Sequence, residues 1–510
     1  MVNFVPPLPL GLPARDEAAD DCWSDCSGGC TAQVVIQQRA AAVATMEVQD
    51  PELLRATWPS SVLRCCGRGL QRDCTVDQYG ESFPAESIDC FWSHSWHADP
   101  WKKVCLLMVM YNGRPAFLAG NLAALAGMTL GYVGLLPSPC AVTDLDGAIY
   151  EFGPWGFTFG SLAALLVFLT WRPWSTVFLD RVCIHQSDYK RKVAGILSLG
   201  GILKHSKRLL VLLDPTYPTR LWTMFEIAAF LKSHNSSREL VIRPTILGPT
   251  ALGLSLFVFQ LCLWFVAVMN GAGLQSLLIQ AGCSWPFYVF ITHMLRQYFA
   301  WVEEFTRQLG SFTVADAQTE CCTANHVDAR GSGIPCDREI ILECLRAWFG
   351  SVEAFEHCVR GRVAAALTEG LGLYAFPTSW FLGILSCGVW AFLDLALVRL
   401  RAGEYYYGLL AFVNVVSMPF AFGSFLYMTV LFVVYRLRRP HRYNYLVSLV
   451  GGTVLAVATR LPMILRPVFR NMLQDDLLGV VAWSLFMAAC SALAQWMWTA
   501  RSLGSFEPWR

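Results

Sequence analysis

"HSKRLLVLLDPTYPTRLWTMFEIAAFL", residues 205–231, reads as a soluble unit inside a chain that otherwise looks built for lipid. Its apolar run suits a strand buried on both faces, a Pro-punctuated loop follows, and a helix then carries one glutamate, Glu226, among apolar neighbours. Trp222 and Glu226 stand four residues apart, so both project from one face of that helix. Working outward, "STVFLDRVCI" (175–184) reads as a buried strand, "RKVAGILSLGGILKHS" (191–206) as a helix and "RELVIRPTIL" (238–247) as a further strand. Strand–helix–strand–helix–strand predicts a parallel, doubly wound sheet. Its opening strand is found upstream at 88–94, with a helix from about Asp99.

The remainder is apolar. Of 510 residues, 55% are hydrophobic and only 15% charged, against about 25% charged in a typical soluble domain. Mean hydropathy is +0.42. Such a chain needs lipid to cover part of its surface. A net charge of +1 lacks the basic excess that a nucleic-acid partner would favour. The start, "MVNFVPPLPLGLPARDEAADD", has no basic region before an unbroken apolar core, so it does not read as a cleavable signal; residues 1–45 read as a flexible tail. The 19 cysteines read as reduced thiols, because most fall in segments placed on the cytosolic side.

A bilayer core of about 30 Å needs about 20 helical residues. Eight runs qualify: 116–136, 155–171, 251–270, 274–293, 378–398, 407–435, 444–463 and 478–499. The segment 137–154 carries acids and no Lys or Arg, whereas its flanks are basic, with Lys102, Lys103 and Arg114 before it and Lys190 to Arg208 after it. "YRLRRPHRYNY" (435–445) is also strongly basic. The bias of basic residues toward the cytosol then predicts a multi-pass protein with both termini inside. The organisation expected is a split α/β domain (86–115 and 172–248) around a transmembrane hairpin (116–171). Spans at 251–293, a cytosolic helical Cys-containing segment (296–370) and spans at 378–499 follow.

"CFWSHSW", "FLDRVCIHQ", "HSKRLLVLLDPTY" and "RLWTMFEIAAF", in that order, resemble the TIR (Toll/interleukin-1 receptor) family. Phe178, Asp180, Ser206, Trp222 and Glu226 match its motif positions over about 88–247, and the whole chain resembles polytopic TIR-like membrane proteins of microalgae, dinoflagellates above all. The resemblance implies a flavodoxin-like parallel sheet, here interrupted by membrane spans, and partners among other TIR-like domains or signalling proteins. In TIR enzymes the matching glutamate contacts a nicotinamide-linked ribose and assists cleavage of NAD, where a carboxylate can stabilise oxocarbenium charge. TIR adaptors keep the same Trp and Glu for folding, so Glu226 is either catalytic, with NAD as substrate, or structural. Ligands gather at the carboxyl ends of parallel strands. Ser93, His94, Ser95 and Trp96 after the first strand, Asp180, Arg181, His185 and Gln186 after the second, and Trp222 are therefore rim candidates.

In "ECCTANHVDARGSGIPCDRE" (320–339), Cys321, Cys322, His326 and Cys336 offer the N and S donors that zinc favours. Their spacing matches no standard finger, and a thiol cluster in a turn is the alternative. Asp394, late in the fifth run, is an intramembrane acid close enough to its end to reach the interface. Three function classes follow: a signalling or interaction platform, an NAD-cleaving enzyme using Glu226, and a transporter or channel built on the spans.

Overall fold

A computed structural model describes residues 28–71, 76–143, 149–234, 239–268, 274–323, 325–326, 336–365, 378–417 and, with short breaks, 421–505. The chain divides into two compact units, each discontinuous in sequence. One comprises Met1–Cys105, Arg172–Thr245 and Val302–Gly372; the other comprises Leu106–Trp171, Ile246–Trp301 and Leu373–Arg510.

The first unit is built on four parallel strands: β1 (Cys90–His94), β2 (Val177–Phe178), β3 (Leu209–Leu213) and β4 (Leu240–Pro244), in the order β2-β1-β3-β4. That order reverses direction between β1 and β3, as in doubly wound sheets. Every residue of β1 and β3 is buried, which accounts for the unbroken apolar run of β3; β1 is apolar up to Trp92 and ends in the buried polar pair Ser93 and His94. In β4 buried residues alternate with half-buried ones, as expected of an edge. Across β1 and β2, Phe91 pairs with Phe178, and their rings stack at 4.7 Å. The polypeptide leaves this sheet after β1 and rejoins it at β2, with the predicted hairpin lying between.

Three expectations need correction. First, the strand read over 175–184 is only two residues long. Leu179 leads into a helical turn, Asp180–Cys183, whose first residue turns its carboxylate onto the Arg181 N–H at 2.7 Å. A β-branched run cannot reveal that a local acceptor ends the ladder. The open edge of β2 is covered instead by Thr57, which exchanges two 2.8 Å backbone hydrogen bonds with Val177. Thr57 directly follows Arg55–Ala56, a two-residue strand paired with Phe83–Pro84.

Second, the tail assigned to 1–45 contains helix α1 (Gly28–Ala44). Ile36, Ala40 and Val43 are buried from one face of it, and the Trp348 indole N–H donates to the terminal Ala44 carbonyl at 3.0 Å. The helix docks where glycine permits: a Cβ on Gly200 would lie 2.9 Å from the Val43 carbonyl oxygen. Those partners lie far away in sequence, so local composition did not reveal them. The rest of the expected tail, residues 1–27, lies outside the described residues.

Third, the helix read over 191–206 is two helices, Tyr189–Leu197 and Leu199–Lys204. Helices are found as expected at Leu221–Ser233 (α2) and Asp337–Phe349 (α3), whereas the helix expected from about Asp99 and the separate run expected at 116–136 are one continuous helix, Pro100–Tyr132.

Among its described residues the second unit is mainly helical, with the antiparallel pair Cys140–Thr143 and Ile149–Phe152 within the acid-only segment. Among the described residues, three helices are long and apolar enough to cross a membrane: Leu247–Val266, Trp380–Arg401 and Leu477–Trp496. Shorter apolar helices occupy Trp155–Thr170, Gly423–Arg436 and Asn444–Ala458, and the run 407–435 is described as two helices, Tyr405–Val416 and Gly423–Arg436. Leu162, Leu166 and Leu169 are each more than 60% exposed, an arrangement that suits a lipid solvent. Asp394 turns inward among the helices of this unit. It is buried, and its two carboxylate oxygens accept the N–H groups of Gly156 (2.9 Å) and Phe157 (2.8 Å), capping helix Trp155–Thr170. Glycine at 156 permits this approach, since a Cβ there would meet Asp394 Oδ1 at 2.7 Å.

Candidate functional site

The carboxyl ends of β1, β2 and β3 converge on one polar cluster. Ser93, at the end of β1, donates to Glu226 Oε2 on α2 and lies 2.5 Å from the Tyr217 hydroxyl. Ser95 bonds Thr216 across 2.7 Å, and Thr216 in turn donates to Asp214, just past β3, at 2.8 Å. Trp96 donates its indole N–H to Asp180 at 3.1 Å. Between these groups the Lys103 ammonium donates to the Ser95 carbonyl at 2.6 Å and lies 5.7 Å from the Trp96 ring. His94 is buried edge-on to Trp96 at 4.4 Å, and among the described residues its Nε2 has no hydrogen-bond partner.

Burial dominates the electrostatics. It pushes the Glu226 carboxyl up to about 8; the Asp180 charge adds to the shift and the Ser93 hydrogen bond opposes it. Burial also raises Asp180 and Asp214 and brings Lys103 down to about 8, opposed by the nearby Asp214, Asp180 and Asp99 charges. His94 is held well below its ordinary value by burial and by the Lys103 charge, so its imidazole is neutral. At neutral pH Glu226 is therefore mostly a carboxylic acid. The residue keeps a partial opening to solvent.

Of the sequence-predicted residues, Ser93, His94, Ser95, Trp96, Asp180 and Glu226 come together. The others do not face this cluster in the same way. Arg181 lies 5.6 Å from the Trp96 ring but donates to the Gln71 carbonyl at 2.7 Å. His185 lies tilted against Tyr79 with ring centroids 4.6 Å apart, and its Nδ1 accepts the Asp188 N–H at 3.1 Å. Gln186 folds back on the Ile184 carbonyl at 2.9 Å. Trp222, one turn before Glu226, donates to Asp337 Oδ2 at 3.2 Å.

Sequence reasoning missed Lys103, Asp214, Thr216 and Tyr217. Lys103 was counted as a cytosolic charge marker, whereas it is fully buried. Asp214 and Tyr217 follow β3 directly, and the strand-end rule that selected Ser93 would have found them. Glu226 itself was found through the order of its motifs.

A second cluster lies in the Cys-containing segment. Cys322 Sγ stands 3.9 Å from Cys321 Sγ, 3.8 Å from Cys336 Sγ and 3.6 Å from His326 Nε2. Donor atoms of all four residues fall within 4.8 Å of one another.

No protein-family model, no curated protein and no solved structure matches this chain.

Proposed function

We propose that the chain is a multi-pass membrane protein whose α/β unit is a TIR-like module acting in signalling or protein–protein interaction. Lipid and other TIR-like domains or signalling proteins are its partners. The observation that carries this reading is the state of the strand-end polar groups. Glu226 is bound to Ser93, Asp180 to Trp96 and Lys103 to Ser95, so the groups an enzyme would direct at substrate are engaged with one another. A carboxyl held up to about 8 is also a poor stabiliser of positive charge at neutral pH. In the proposed topology there are eight spans and both termini are cytosolic. Arg399 pairs with Glu404 at 2.8 Å, and Arg401 donates to the Gly131 carbonyl at 3.1 Å.

A second reading keeps one specific observation in its favour: Glu226 retains an opening to solvent beside strand ends that bind ligands in other open sheets. Under it the chain is an NAD nucleohydrolase. The test is incubation of detergent-purified protein with NAD. The platform reading expects no nicotinamide release; release that Glu226→Gln abolishes in a folded variant would replace it with the enzyme reading. Transport is the third class; the acid buried among the helices, Asp394, already caps a helix through the Gly156 and Phe157 N–H groups.

A further inference from the structure

The four donors of the Cys-containing segment have a geometry worth comparing with that of a metal. Zinc bound tetrahedrally, with Zn–S of about 2.3 Å and Zn–N of about 2.0–2.1 Å, sets S···S edges of about 3.8 Å and S···N edges of about 3.5 Å. The edges from Cys322 are 3.9 Å to Cys321, 3.8 Å to Cys336 and 3.6 Å to His326 Nε2. Three edges of one tetrahedron thus already stand near the length that a bound zinc requires.

The backbone supports the same arrangement. Asn325 and His326 both have positive φ, 53° and 57°, which is uncommon for residues other than glycine. This left-handed pair reverses the chain, with the His326 N–H bound to the Cys321 carbonyl at 2.7 Å, and carries the imidazole back to the thiols. The Asp337 N–H donates to Cys321 Sγ at 3.3 Å, the kind of outer hydrogen bond that holds a thiolate ligand.

We propose that Cys321, Cys322, His326 and Cys336 form a structural zinc site that clips the Cys-containing segment to the helix bearing Trp222 and Glu226. The clip acts through the neighbouring residues. Cys336 immediately precedes α3, whose Asp337 carboxylate accepts the Trp222 indole N–H at 3.2 Å. Just before the cluster, Gln318 exchanges backbone hydrogen bonds with Thr219 (2.7 Å) and Leu221 (3.0 Å), at the start of α2. Both ends of the metal-binding segment are therefore tied to α2, and closing the loop between them with zinc removes freedom mainly from the unfolded chain. Four ligands from the protein leave no open position, so the site is structural rather than hydrolytic.

The experiment uses the full-length protein, purified in detergent under reducing conditions from zinc-supplemented cells and washed with EDTA. Elemental analysis is expected to find about one zinc per chain, as one tetrahedral site requires. Cys322→Ser and Cys336→Ser should lose at least about 90% of it, and Cys65→Ser, at an exposed thiol outside the cluster, should keep it. Should the ligand variants fail to fold, the wild type alone decides. After cobalt exchange it should show thiolate-to-cobalt charge-transfer absorption, and stripping the metal should speed amide exchange in α3 and α2 but not in β3. Wild-type protein with reduced thiols that carries no zinc and develops no cobalt charge-transfer band overturns the proposal. A Cys322–Cys336 disulfide found in protein from intact cells overturns it equally.

Discussion

Two lone carboxylates, Glu226 in the α/β unit and Asp394 in the helical unit, look alike in sequence: each is an acid among apolar residues. Their surroundings differ in kind. Asp394 accepts two backbone N–H groups at a helix start, groups that would otherwise lack partners in an apolar interior. Glu226 is held by a side-chain hydroxyl, Ser93, which is shared with Tyr217. Backbone donors cannot be rearranged without unwinding the helix, so Asp394 is a fixed cap. Hydroxyl donors can rotate, and burial leaves Glu226 near 8, so its charge can change within an ordinary pH range. A buried acid is thus given its role by what donates to it.

The largest effect is expected from removing the cation that balances the strand-end cluster. Lys103→Ala leaves the Asp180 and Asp214 charges without their buried counter-ion and should cost about 3–5 kcal/mol, read as loss of folded protein in thermal melts. A cost under about 1 kcal/mol would mean that water reaches the cluster. Next comes Asp394→Ala, which strands two buried amides and should cost about 2–4 kcal/mol in detergent unfolding. Asp394→Asn, which keeps one acceptor oxygen, should recover part of that loss.

Smaller and more diagnostic is Glu226→Gln. The folded state holds this proton up to about 8 while the unfolded chain releases it near 4.5, so wild-type stability should fall as pH rises across that window. The Gln variant should lack this slope and gain on wild type from pH 5 to 8, at about 2–4 °C of Tm for each kcal/mol. Lys103, whose folded value of about 8 lies below its ordinary 10.5, contributes the opposite slope above pH 8. A flat difference between wild type and Glu226→Gln would place this carboxyl in water and erase the contrast with Asp394.

What was legible in the sequence follows from how local each signal is. The strand Leu209–Leu213 and helix Leu221–Ser233 declare themselves through their own composition and periodicity, and the order of motifs brought Ser93 and Glu226 together. The two-residue strands at 55–56 and 83–84 have no period to read, and the Thr57 bridge depends on Val177, 120 positions away. Lys103 misled because burial is set by what packs around a residue; beside Lys102 it looked like one more surface charge. The helix Gly28–Ala44 hid among Pro- and Gly-rich neighbours because its stabilising contact is Trp348.

In the proposed topology the chain enters the membrane after the first strand of the sheet and returns to the same side before the second. Single cysteines placed at Asp99, Ile149 and Ser187, all exposed, can be probed in sealed vesicles with an impermeant maleimide and read peptide by peptide. Asp99→Cys and Ser187→Cys should label from one face and Ile149→Cys from the other. Labelling of Asp99→Cys and Ser187→Cys from opposite faces would contradict a sheet in which Phe91 and Phe178 are partners.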